Sequence, residues 1–212
     1  MPHPLTLTSL PLFPLDTVLF PGGVLPLRVF EVRYLDMVRK CHRAGAPFGV
    51  VSLRSGQEVR RAGNAQEQFH DVGTLASIAD LQTPQPGLVT LTSTGNQRFR
   101  ILRRTLLPYG LWMADVEQLS DDLAVPIPPD LEPAAAALEK VLEVLRQRDP
   151  HSPGAILPTH AQLADSGWVA NRWCELLPVP STLKQQLLEL DNPLVRLELV
   201  SDVLERTGIA PG

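Results

Sequence analysis

Apolar residues follow two different rhythms along this chain, and the change of rhythm divides it. Through Gln118 they come in short runs rich in Val, Ile, Leu and Thr, bounded by proline or glycine, which is the pattern of strands joined by tight turns. The runs predict strands over Ser9 to Phe13, Val24 to Arg28, Phe48 to Leu53, Gly73 to Gln82, Leu88 to Ser93, Arg98 to Leu107 and Gly110 to Gln118. After the fourth run, Pro84-Gln85-Pro86-Gly87 supplies a pre-set φ and a glycine for a reversal; after the fifth, Gly95-Asn96 reads as a hairpin turn. The three runs around these turns are therefore expected to form an antiparallel meander. One helix interrupts the strands: Phe30, Tyr34, Met37, Val38 and Cys41 recur at helical spacing, with Glu31 in the first turn and Arg39, Lys40, His42 and Arg43 in the last before Gly45. A helix set among curved antiparallel strands suits a small barrel better than a flat sheet, because it covers one open end.

From Asp121 to Asp130 the chain turns acidic and proline-rich, with Pro126, Pro128 and Pro129. The expected organisation is a β-rich domain over residues 1–120, a linker over 121–130 and a helical domain over 131–212. Beyond the linker the apolar period becomes 3.6. Leu138, Val141, Leu142 and Leu145 make one stripe; Val169, Trp173, Leu176 and Leu177 a second; Leu183, Leu187 and Leu188 a third; Leu194, Leu197, Val200 and Leu204 a fourth. Asn192 before Pro193 reads as a helix start and Gly208 as a helix stop. Each stripe is too narrow to stand alone, so a helical bundle is expected. The fold class is α+β, a small β-barrel with an inserted helix followed by an α-helical bundle.

Composition narrows the function more than the fold. At 212 residues the chain is long enough for one large domain or two modest ones and can bury a core either way, and 21 prolines argue against a mostly helical protein. A net charge of −4 offers no broad field for nucleic acid. Cys41 and Cys174 are too few and too far apart for a disulfide framework or a four-ligand zinc site. Met1 to Leu15 is apolar but cut by Pro2, Pro4, Pro11 and Pro14, with no basic segment ahead of it, unlike a secretory signal. There is no apolar run of about 18 residues to span a bilayer. A soluble, cytoplasmic protein without a membrane partner is the expectation.

A phosphate-binding loop needs a lysine followed by Ser or Thr, and Lys40, Lys140 and Lys184 all lack one; no G-x-G-x-x-G is present either. Ser181 to Lys184 matches S-x-x-K, yet Ser181 follows Pro178 and Pro180 where a helix must begin, and Thr182 with Gln185 reads as a capping box, so helix initiation is preferred to catalysis. There is no G-x-S-x-G elbow. Cys41-His42 has no second ligand pair, His151 and His160 fall in or near a proline-containing loop, and Asp121 and Asp122 lie in the linker. No catalytic residue, cofactor or metal ligand is assigned. The remaining chemistry is a basic cluster, Arg98, Arg100, Arg103 and Arg104, in which Arg98 and Arg100 share a strand face and would suit an RNA backbone; Phe99 points the other way, so no stacking platform accompanies them.

One ordered series of segments resembles a known family. Leu10-Pro11-Leu12-Phe13-Pro14-Leu15, Phe20-Pro21-Gly22-Gly23, Leu25-Pro26-Leu27-Arg28, Phe30-Glu31 and Arg33-Tyr34 resemble the opening of the Lon protease N-terminal domain. Phe48-Gly49-Val50-Val51, Val72-Gly73-Thr74, Arg98-Phe99-Arg100, Trp168 to Arg172, Leu176-Leu177-Pro178 and Lys184 to Glu189 continue it in order. The resemblance implies a PUA-like β-barrel followed by a helical bundle, in a region that helps recognise unfolded or damaged proteins. The ATPase and protease modules of that family are not in this sequence, so the resemblance implies a free-standing, non-catalytic, ATP-independent protein- or peptide-binding module. Its partners would be unfolded segments or a protease component, as an adaptor or regulator in protein quality control; RNA binding through Arg98, Arg100, Arg103 and Arg104 is the alternative, and the oligomeric state is left open. The expected peptide-binding surface is a fixed loop at the barrel rim, Phe20, Pro21, Gly22 and Gly23, with Phe13 and Pro14 beside it. Arg28, Glu31 and Arg33 are expected to form a charge network that anchors the first helix. Trp168, Asn171 and Arg172 are expected at the seam between the domains, with the tryptophan buried.

Overall fold

The computed structural model describes residues 5–58, 66–150 and 157–208; His151 lies outside them. The chain divides into two compact units, 1–121 and 122–212.

The first unit is a mostly antiparallel sheet with one helix. Its strands are β1 (Thr6–Leu15), β2 (Val24–Val29), β3 (Phe48–Ser55), β4 (Gln68–Phe69), β5 (Val72–Gln85), β6 (Leu88–Leu106) and β7 (Trp112–Gln118), and its helix is α1 (Val32–Ala44). β1 pairs antiparallel with β7 and parallel with β3, so the pairings β1-β7-β6-β5-β3 return to β1. β4 pairs with β3 beyond this circuit. Every strand of the circuit contributes to a cluster of Leu10, Leu12, Val51, Leu53, Leu75, Phe99, Trp112, Ala114 and Val116. The opposite sheet face, carrying Phe13, Leu15, Phe48, Val50 and Ala76, packs with Tyr34, Leu35, Met37, Val38 and Cys41 of α1. Alternate residues of β1 and β3 thus enter different clusters, and β3 reads as an unbroken apolar run because both its faces are buried.

Two expectations in this unit are corrected. Gly95-Asn96 is no hairpin: the fifth and sixth runs are one strand, β6. One edge of β6 pairs with β2 from Val89 to Thr94 and with β7 from Phe99 to Leu106, while β5 follows its other edge. Gly95 sits at the change of partner because another backbone crosses there. Its N–H donates to the Gly23 carbonyl and its own carbonyl accepts from the Gly22 N–H, both at 2.8 Å. The glycine signals close approach, not reversal. The second correction concerns α1. It starts at Val32, with Glu31 as N-cap, so Phe30 lies outside the helix and is 54% exposed. The stop at Gly45 in the left-handed region and the burial of Cys41 are as expected; burial pushes the Cys41 thiol above its ordinary pKa.

The second unit contains α2 (Glu132–Arg148), α3 (His160–Leu163), α4 (Ser166–Leu176), α5 (Ser181–Glu189) and α6 (Pro193–Thr207). α4 touches each of the other four, and the indole N–H of Trp173 donates to the Ala134 carbonyl on α2 at 2.9 Å. Asn192 caps α6 through the N–H groups of Leu194 and Val195, and Gly208 ends it in the left-handed region. Leu145 and Leu176 belong to the expected stripes but are 40% and 37% exposed, because α2 and α4 turn those positions outward. The capping box expected at Thr182 and Gln185 is absent: α5 starts after Pro180 without a side-chain cap, and Gln185 is buried and donates to Glu189. A capping box does close α3, between Thr159 and Gln162, which places His160 on a helix. The proline-rich stretch is tied to this unit, since Ser166 donates its backbone N–H to Val125 and its hydroxyl to Pro126.

Candidate functional site

In the first unit, chemistry concentrates around Arg33. Glu31, in extended conformation, offers its carbonyl to the N–H groups of Tyr34 and Leu35, which sets the first turn of α1 and directs Arg33 inward. The guanidinium, 5% exposed, donates through Nη1 to Glu67 Oε1 at 2.9 Å and to the Gly110 carbonyl at 2.8 Å, and through Nε to Glu31 Oε2 at 3.1 Å. It also lies 4.5 Å from the Tyr34 ring centroid. Burial disfavours the charge on Arg33, but Tyr34, Glu67 and Glu31 outweigh it and raise its pKa. Burial likewise pushes Glu67 up, and hydrogen bonds from Arg33 and from its own backbone, with the indole N–H of Trp112 turned toward it, bring it below the ordinary carboxylate range. The expected anchoring network is thus present between Glu31 and Arg33. Arg28, however, points to solvent from β2, and the partner that completes the network is Glu67. Nothing at sequence level couples Glu67 to a residue 34 positions away.

A folded-state pKa below the unfolded value means that Glu67 stabilises the protein above the unfolded carboxylate pKa of about 4.3, and that this contribution is lost as pH falls through the folded value. Glu67→Gln is expected to cost about 3 kcal/mol at pH 7, because it leaves a buried guanidinium without a counter-charge. Urea denaturation of both proteins at neutral and acid pH provides the check: the gap between them should narrow as the solution is acidified below pH ~4.3.

Beside this network is a cleft of about 380 Å³, lined by Arg54, Gln66, Glu67, Gln68, Phe69, Arg104 and Trp112. Phe69 and Trp112 meet edge to face at 5.3 Å, and the Arg104 guanidinium lies 4.9 Å from the Phe69 centroid. Arg54 donates through Nε to His70 Nδ1 at 3.2 Å. Arg104 reaches Asp71 at 3.4 Å in an exposed pair.

Arg33 also ties two segments that expose apolar side chains. The β6–β7 turn is closed by the Gly110 N–H donating to Leu107 and the Leu107 N–H donating to Leu111, and Gly110 at φ 86° takes the left-handed position that such a turn needs. Tyr109 stands at its tip, 62% exposed; Phe30 and Val32, at the start of α1, are 54% and 76% exposed. Helical spacing assigns Phe30 to the apolar stripe of the first helix and gives no signal at Val32 or Tyr109. Their common signal is adjacency to turn and cap residues.

The residues expected at the peptide-binding rim are placed differently from one another. Phe20-Pro21-Gly22-Gly23 is a tight turn, closed by the Gly23 N–H to Phe20 carbonyl bond at 2.9 Å, with Pro21 setting φ and Gly22 at φ 74°. Gly22 is exposed and Pro21 half-buried, whereas Gly23 and Phe20 are buried. Pro14 is buried, and Phe13 is buried with its ring stacked 4.0 Å from Tyr34. The four arginines considered for RNA do not make one exposed row. Arg98 is 4% exposed, Arg100 faces solvent, and a bulge between Ile101 and Arg103 redirects the rest, so that Arg103 pairs with Asp115 at 2.7 Å and Arg104 with Asp71. In the second unit Asn171 accepts from Arg196 at 2.9 Å and Arg172 pairs with Glu175 at 2.9 Å. Trp168 is half-buried, against the expectation of burial, 5.9 Å from the Arg172 guanidinium. Lys184 donates its ammonium to the Glu175 carbonyl at 3.0 Å. Among the described residues no group of three or more His, Cys, Asp or Glu is arranged to hold a metal ion, and no helix is long and apolar enough to cross a membrane.

Comparison with known proteins places this arrangement in context. The family described as the ATP-dependent protease La (LON) substrate-binding domain matches residues 9–206. Lon protease of Anaeromyxobacter dehalogenans is 28% identical over 198 residues, covering 93% of this chain and 23% of that protein. Lon protease 2 of Myxococcus xanthus is 28% identical over 200 residues with the same coverage. The chain thus spans about a quarter of the length of these relatives. Among solved structures, a Lon N-terminal domain protein from Xanthomonas campestris superposes with a TM-score of 0.64 at 32% identity, covering 92% of this chain and 97% of that one.

Proposed function

This chain belongs to the family of Lon protease substrate-binding domains, and from that membership we propose that it holds unfolded or damaged polypeptide without transforming it, as a cytoplasmic adaptor or regulator in protein quality control. In this reading the closed circuit of strand pairings is a PUA-like β-barrel, with α1 over one face and a helical bundle following it. The observation that carries the proposal is the family match over residues 9–206, which extends through both units.

The surface assigned to the polypeptide is Phe30, Val32 and Tyr109. Exposed apolar side chains of this size mark contact sites when they stand on rigid segments, and Arg33 fastens both of theirs. Gly22, exposed on its proline-fixed turn, is a second contact edge, supported from beneath by buried Phe20. Binding should consist of apolar burial with no product formed.

The test is capture of a permanently unfolded, labelled client by the purified chain. The triple variant Phe30→Ser, Val32→Ser, Tyr109→Ser is expected to bind at least about tenfold more weakly at unchanged helix content, since loss of three apolar contacts exceeds 1.4 kcal/mol. Equal binding by the variant would remove the surface, and no binding by the parent chain would remove the function.

A further inference from the structure

The cleft beside the Arg33 network is chemically unlike the apolar surface just described, and the geometry points to a subsite in which Arg54, Arg104, Phe69 and Trp112 hold an acidic side chain of a bound polypeptide together with an apolar neighbour of that side chain. The inference rests on the polypeptide-binding reading and specifies which segments are preferred.

Charge is the first argument. Arg54 and Arg104 line the cleft against one carboxylate, Glu67, whose charge is already matched by the buried Arg33. The lining is therefore net cationic although the chain as a whole carries −4. Arg54, exposed, engages His70 through Nε alone among the described residues, while the ion pair of Arg104 is the exposed 3.4 Å contact with Asp71. An exposed pair of that length contributes little, so an incoming carboxylate displaces Asp71 at small cost and gains a two-point guanidinium contact.

The floor of the cleft is the second argument. Phe69 and Trp112 are 3% and 7% exposed and present a rigid edge-to-face pair. The Trp112 indole N–H lines the same cleft, is buried, and closes no hydrogen bond of ordinary geometry among the described residues. Turned toward Glu67 without a bond of ordinary geometry, this donor is available for a ligand carboxylate or peptide carbonyl to share. A volume of about 380 Å³ accommodates an acidic residue with one apolar neighbour rather than a folded surface. Backbone shape agrees, since β4, which contributes Gln68 and Phe69 to the lining, is a two-residue strand paired with β3 alone among the described strands.

The experiment is fluorescence anisotropy of the full chain with end-capped peptides in a Gly-Ser background, carrying Phe-Asp, Phe-Asn or Phe-Lys, and an uncapped peptide whose sole carboxylate is its C-terminus. Phe-Asp is expected to bind about tenfold tighter than Phe-Asn and more tightly still than Phe-Lys, with the preference shrinking as salt is raised. Arg54→Gln and Arg104→Gln, both at exposed positions, should each remove about fivefold or more of that preference at unchanged thermal stability. In two-dimensional nitrogen–proton spectra the Trp112 indole signal, identified by its loss in Trp112→Phe, should move on addition of Phe-Asp. Equal binding of Phe-Asp, Phe-Asn and Phe-Lys, indifference to both arginine substitutions, or preference for the uncapped chain end over the internal Asp would each overturn the assignment. If unfolded client still binds through Phe30, Val32 and Tyr109 while the peptides are not distinguished, the cleft assignment alone fails. If Phe-Asp binds while unfolded client does not, the cleft stands and the client reading fails.

Discussion

Arg196→Ala is expected to destabilise the helical unit by about 4 kcal/mol, close to the whole stability of many small domains. Arg196 is 1% exposed, on the inward side of α6. Its Nε donates to the Leu187 carbonyl at 2.9 Å, its Nη1 to Asn171 Oδ1 at 2.9 Å and to Asp122, and its Nη2 to Asp122 and to the Leu190 carbonyl. Leu187 and Leu190 lie at the C-terminal end of α5, where the regular i+4 amides run out and the Leu187 carbonyl otherwise accepts the Leu190 N–H at 3.4 Å. A single guanidinium therefore joins α4, the end of α5, α6 and the stretch entering the unit. Its removal takes five hydrogen bonds from four segments at once and leaves Asp122 without this counter-charge, so the loss exceeds that of the ion pair alone. Arg196→Lys should recover little, because an ammonium cannot reproduce the planar fork. Urea unfolding followed by far-ultraviolet circular dichroism decides this: a loss under about 1 kcal/mol for Arg196→Ala would show that the knot does not hold the unit together.

Gly95→Val should have a similar effect in the first unit, a loss of about 3 kcal/mol or failure to fold. A Cβ at this position falls under 3.0 Å from the Phe20 carbonyl oxygen and at 3.0 Å from Leu19 Cγ. The backbone atom cannot yield without breaking the two bonds between Gly95 and the Gly22-Gly23 turn. Asn96→Ala, one residue on and exposed, removes only a hydrogen bond to the Ser77 hydroxyl and is expected to cost less than about 1 kcal/mol. A true hairpin turn would make both residues sensitive. Comparable losses at Gly95 and Asn96 in thermal unfolding would contradict the continuous β6 strand.

This contrast shows where local reading stops. Proline and glycine next to apolar runs located nearly every strand end, and the caps at Gly45, Asn192 and Gly208 were legible because capping involves residues within four positions of one another. The same reasoning fails at Gly95, where the glycine serves a chain segment more than 70 residues earlier in sequence, and at Thr182, where the three-residue spacing to Gln185 matches a capping box that the buried Gln185 does not make. β4, only two residues long, has no periodicity to detect. Of the candidate site, Glu31 and Arg33 were legible as a local charge pair, whereas Glu67, Trp112 and Arg54 were not, since no spacing rule connects them.

The pattern of apolar positions by itself determined that this is an α+β chain with strands first and helices after, because period 2 and period 3.6 are written into neighbouring residues. The order of the Leu10-to-Tyr34 segments and those after them determined the family. Only the tertiary structure decided which side chains are free to act. Phe13 and Phe20 went into the core while Phe30, equally apolar, stayed outside, because burial depends on which face meets another layer. Arg33 and Arg196 became buried hubs and Arg54 and Arg104 a cationic cleft because long-range pairing sets the dielectric and the partners of each charge, and neither can be read from sequence neighbours.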